Sequence, residues 1–195
     1  MHARRAAVAV LLVAATATAC SGNGTDDKAQ SKPSKTATSK SPATTTPAPG
    51  PLKFGSNWRW SDKDDDGKPI SGTTTVLSYT QPAKDVDLAK NVSDFAHPVW
   101  SVLEVKVCIA TKSSPVTVSQ GPWALGFPDD TRLDSPNISG SGVPKPEYAS
   151  NGATVNPGSC LRGKITYSVE RGTRPDRIVY GSAGRDTVEW AVPKA

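Results

Sequence analysis

Three aspartates at alternate positions, Asp62, Asp64 and Asp66, run into Gly67. Alternate carboxylates before a glycine match the opening of a calcium loop, where they converge on the cation and the glycine permits the turn. The rest of that template is missing. Thr73 stands where the bidentate glutamate belongs, Pro69 follows Lys68, and no helical pattern flanks the stretch. The same residues also read as a solvated hairpin tip between Trp58-Arg59-Trp60 and Thr73 onward, with Asp66-Gly67 as the turn signal. Groupings for catalysis are scarcer. His97 is the only histidine after His2, so a Ser-His-Asp site would have to use it. Paired carboxylates occur at Asp129-Asp130 and in the acidic hairpin, whereas glycosidase work needs two of them held across a cleft. Of the five tryptophans, Trp58 and Trp60 share one face and allow a carbohydrate platform. Trp123 and Trp190 alternate with apolar residues and are expected in the core.

The cysteines carry the remaining chemistry. Cys20 ends an uncharged stretch, Ala6 to Ala19, that follows Arg4 and Arg5. A charged start, a short apolar run and small residues before a cleavage point make a secretory leader, too short to span a bilayer. Ala17-Thr18-Ala19-Cys20 resembles the lipobox of bacterial lipoproteins. That resemblance implies removal of residues 1–19 and acylation of the Cys20 thiol, with Ala17 in place of the usual leucine. Cys108 and Cys160 lie on two long strand patterns and share parity with charged neighbours. In an exported protein they are expected to form a disulfide near one sheet's outer face. Two cysteines and His97 do not by themselves complete a tetrahedral zinc site.

Residues 20–51 read as a tether. Ser21 to Pro51 holds five Pro, six Thr, five Ser and four Lys, and no Val, Ile, Leu, Met or aromatic residue. A segment with nothing to bury cannot offset its ordering entropy, so disorder is expected. The chain carries 23 Lys+Arg against 18 Asp+Glu. Leu52 to Ala195 holds 17 basic and 16 acidic residues, so the excess lies outside the expected folded part. The basic balance is therefore no sign of nucleic-acid binding.

Residues 52–195 are long enough for one domain with its own core. The pattern is β throughout. Leu103, Val105, Val107 and Ile109 alternate with Glu104, Lys106 and Cys108, and Leu161 to Glu170 does the same. Shorter strands are expected at Trp58–Ser61, Thr73–Thr80, Val116–Val118, Trp123–Phe127, Arg177–Tyr180 and Thr187–Val192, with room for a short helical turn within Asp85–Ala96. Many short strands between Pro and Gly turns predict an all-β domain, an antiparallel sandwich or barrel. Pro128 to Ser159 is a long loop by this reading. Ile138 and Tyr148 within it would either anchor a partner or pin the loop to the sandwich.

Several segments recur together in order: Val102 to Cys108, Pro122-Trp123-Ala124-Leu125, Pro146-Glu147-Tyr148, Val155 to Gly163, Ile178-Val179-Tyr180 and Glu189-Trp190. They resemble actinobacterial lipoproteins with an immunoglobulin-like domain of unknown function, similar in fold to a secreted mycobacterial immunoprotective antigen. The resemblance implies an immunoglobulin-like β-sandwich and a Cys108–Cys160 pair, and carries over no catalytic residue. The acidic hairpin departs from the pattern. The expectation is a lipid-anchored protein on the extracytoplasmic face of the cell membrane. Its non-catalytic head would bind an envelope protein or cell-wall component, with no cofactor beyond the lipid on Cys20. The alternative is a cell-wall-active enzyme or a calcium-dependent glycan-binding module.

Overall fold

A computed structural model describes residues 50–89, 92–181 and 187–194. Cys20, the leader and nearly all of the tether lie outside the described residues.

Among the described residues ten strands follow one another: β1 (Asn57–Lys63), β2 (Pro69–Thr80), β3 (Pro98–Ile109), β4 (Val116–Val118), β5 (Trp123–Gly126), β6 (Arg132–Asp134), β7 (Ala153–Val155), β8 (Cys160–Glu170), β9 (Arg177–Tyr180) and β10 (Val188–Ala191). All strand pairings are antiparallel. One sheet has the order β1-β2-β3-β8, a second has β10-β9-β5-β6, and β4 with β7 forms a two-stranded sheet. The domain is the all-β sandwich that the alternation predicts. Within Asp85–Ala96 the described residues hold a single turn, in which the Val92 amide donates to the Ala89 carbonyl at 3.1 Å.

Parity explains the packing. Leu103, Val105, Val107 and Ile109 of β3 and Ile165, Tyr167 and Val169 of β8 are buried in the same core as Trp123, Leu125, Ile178 and Trp190 of the second sheet. Successive side chains point to opposite faces, so each sheet gives one face to the core. On the other face of the first sheet, Glu104 meets Arg162 at 2.8 Å, and Cys108 stands directly opposite Cys160.

Two short strands occupy the stretch expected to be one long loop. β6 adds to the second sheet, and β7 pairs with β4. Three residues with one or two apolar side chains carry too little periodicity to be read as strands. A third part of the stretch is tied down by Tyr148. Its amide donates to the Lys164 carbonyl, and the Lys164 amide donates to the Pro146 carbonyl, both at 2.9 Å. The crossing needs a bare Gly163, since a Cβ there would lie 2.6 Å from the Tyr148 nitrogen.

Candidate functional site

The sandwich opens along one side into a cleft of about 470 Å³. That volume is in the range of small-ligand sites. Its walls are Trp58 to Asp62 of β1, Ile70 of β2, the whole of β4, Tyr180 of β9, and Pro122 and Gly181, which flank β5 and β9. The pairing of β1 with β2 sets Trp58 opposite Thr74 and Trp60 opposite Gly72. Both indoles therefore project on the core face, yet each stays half-buried because β1 is the outermost strand. Trp60 donates its indole N–H to the Thr74 hydroxyl at 3.1 Å. Its ring lies against Gly72, where a Cβ would stand 2.6 Å from Cζ2.

Trp58 is braced from the other sheet. It meets Tyr180 edge-on with ring centroids 5.9 Å apart, and Tyr180 in turn packs on the buried Trp123 at 4.6 Å. Trp123 also touches Trp190 and Tyr148, at 6.1 and 6.4 Å. Ring pairs at such distances add to the burial of their area. Trp58 and Tyr180 are thus braced by the packed aromatic cluster, and pre-organisation lowers the ordering cost of binding.

The acidic hairpin does not gather its three carboxylates. Asp64 Oδ1 accepts the amides of Asp66 and Lys68, at 3.1 and 2.8 Å. Asp62 Oδ1 accepts the Lys63 amide at 2.8 Å, and Asp66 faces Lys68 Nζ at 3.4 Å. Among the described residues no three His, Cys, Asp or Glu side chains are grouped as a metal would require. Asp64 closes the turn, as a short carboxylate at a hairpin tip does, and Gly67 takes the positive φ of 77°.

Cys108 and Cys160 form a disulfide across neighbouring strands, with Cα atoms 4.0 Å apart. The bridge lies on the outer side of the sheet, where parity places it. Tyr148 is a correction. It is not available to anchor a partner, because its side chain is fully buried against Trp123. Its carbonyl accepts a hydrogen bond from the buried Gln120 side chain at 2.8 Å. Burial pushes its hydroxyl well above the ordinary tyrosine value. Tyr148 instead pins the segment to the sandwich. Ile138 stays half-buried, outside the core and the cleft.

His97 is exposed, its amide donates to Glu170 Oε2 at 3.3 Å, and its carbonyl accepts from the Arg171 amide. Asp129 is fully exposed, and the Thr131 hydroxyl and amide that it accepts hold its carboxyl below the usual range. Asp130 pairs with Arg177 at 3.1 Å.

Trp58 and Trp60 share one face in the sequence, but Tyr180, Pro122 and β4 are not legible there as their neighbours. The signal was partial: Trp58 and Trp60 have the alternation of an inward face on a short first strand. Which strand of the other sheet would face them depends on a pairing that no local pattern encodes.

Fold and cleft together define an immunoglobulin-like β-sandwich protein with a half-open aromatic site at its side. A secreted protein from Mycobacterium tuberculosis, MPT63, has a similar fold: TM-score 0.55, 18% identity, covering 75% of this chain and 99% of that one. The sequence matches no protein-family profile and no curated protein.

Proposed function

We propose that the chain is a lipid-anchored extracytoplasmic protein whose β-sandwich head binds a component of the cell envelope. In this reading Cys20 is acylated at the membrane surface, Ser21 to Pro51 is the tether, and residues 52–195 are the head. The observation that carries the binding role is the cleft, with two half-buried indoles, Trp58 braced by Tyr180 and Trp123 and Trp60 held by Thr74 and Gly72. Several features support the location: the leader-like run before Cys20, the disulfide, and the fold shared with a protein that is secreted. The ordered motif segments support kinship with the actinobacterial lipoproteins they resemble.

A binding role is favoured over catalysis because the cleft's charged side chains are Arg59 and Asp62, while His97, Asp129 and Asp130 lie elsewhere. The test has two parts. Cys20→Ala should move the protein from the membrane fraction to the medium. The same soluble full chain should be retained on isolated envelope material, and adding Trp58→Ala should release it while the head still melts in one cooperative transition. Hydrolysis of wall polymer or esters that stops with His97→Ala would overturn the reading.

A further inference from the structure

The cleft meets two strands along their edges. Five consecutive residues of β1, Trp58 to Asp62, and all three residues of β4 border it. Successive side chains stand on opposite faces, so a cavity touched by every residue in a row meets the strand edge-on. Among the described residues β1 is the last strand of its sheet, and β4 is paired on one side, with β7.

The register identifies the backbone groups on the β1 edge. The Asp64 amide donates to the Lys68 carbonyl at 2.9 Å, continuing the ladder in which Asp62 faces Ile70 and Trp60 faces Gly72. Bonding alternates along an antiparallel pair. Even-numbered residues of β1 therefore bond to β2, and the amides and carbonyls of Arg59 and Ser61 point out of the sheet. The far side of β2 agrees. The Ala110 amide donates to the Ser71 carbonyl at 3.0 Å, so odd residues of β2 serve β3 and even residues serve β1.

An outward row of amides and carbonyls is a template for one more strand. The chain covers such edges elsewhere. Leu52 bonds along β10, through Glu189 and Ala191, and Pro146 to Tyr148 bonds along β8. Beside the β1 edge lies the cleft, and half-buried Trp58, Trp60 and Tyr180 stand ready to receive alternate side chains. A sugar stacks on an open ring face and has no need of the outward amides. Here Trp58 meets Tyr180 edge-on, and Trp60 lies against Gly72.

We propose that the cleft takes an extended peptide segment of an envelope protein, added as a strand along β1 at Arg59 and Ser61, with its apolar side chains set against Trp58, Trp60 and Tyr180. The proposal rests on the binding reading above and names its occupant.

The probe is the tightest peptide selected from a random decapeptide library by the purified full chain. Ser61→Pro removes an outward N–H and none that bonds to β2, so it should weaken binding about tenfold or more, equivalent to about 1.4 kcal/mol. N-methylation of the peptide at alternate amides should do the same, and at the intervening amides should not. Should Ser61→Pro fail to fold, the N-methyl series on the wild-type chain decides. Binding that tolerates methylation at every amide overturns strand addition. If no peptide is selected, but peptidoglycan glycan strands bind and Trp58→Ala releases them, strand addition fails and the cleft reading stands. If neither binds, both fail.

Discussion

Trp58 on β1 and Tyr180 at the end of β9 meet edge-on across the mouth of the cleft, with ring centroids 5.9 Å apart. The contact joins one sheet to the other at the side where the sandwich is open. It makes the cleft wall a continuation of the buried cluster of Trp123, Tyr148 and Trp190.

The disulfide joins residues 52 apart in sequence. On the chain-entropy account, closing a loop of that size stabilises by about 4 kcal/mol. Guanidinium unfolding of the full chain with and without reductant should show a loss of that order. An unchanged midpoint after complete reduction would remove the bridge from the account of stability.

Tyr148→Ala should destabilise rather than merely weaken binding. The side chain is fully buried against Trp123, and its backbone crosses Gly163. Emptying a buried aromatic site costs about 3–5 kcal/mol. Ile138→Ala, at a half-buried position outside the core, should cost far less. Thermal melting of the two variants makes the comparison.

Alkaline pH should unfold the head. Burial pushes the Tyr79 hydroxyl up to about 12, against the lowering effects of Ser101 and Arg174. Burial raises Tyr148 and Tyr167 as well. The folded state thus favours the neutral phenols. This contribution is complete below the unfolded value near 10 and is lost as pH rises from there through about 12. Tyrosinate absorbance should rise together with loss of structure. Full ionisation of the tyrosines near pH 10 in a folded chain would contradict it.

Asp64 should matter to the hairpin through its turn and not through a cation. Asp64→Ala removes two hydrogen bonds from Asp66 and Lys68 amides. It should cost about 1 kcal/mol, whether calcium or a chelator is present. A calcium-dependent rise in melting temperature that this variant abolishes would restore the calcium loop.

The long strands were legible because Leu103 to Ile109 and Leu161 to Val169 alternate over enough residues to show their period. Alternation also placed Cys108 and Cys160 on one outer face. Tyr148 was not legible, since its burial depends on a passage over Gly163 that only the folded sheet edge creates. The aspartates match a calcium loop in sequence spacing, and in space Asp64 accepts the amides of its own turn, the hairpin reading that the Asp66-Gly67 signal also offers. The cleft pairs Trp58 with Tyr180, 122 residues away, and only the packing of the two sheets brings them together.

The most direct measurement is the indole spectrum of the full chain, titrated with solubilised envelope components. The Trp58 and Trp60 indole N–H resonances should shift with ligand, while those of the buried Trp123 and Trp190 stay in place. Saturating binding that leaves Trp58 and Trp60 unmoved, or shifts only residues of the 128–159 segment, would contradict the cleft as the binding site.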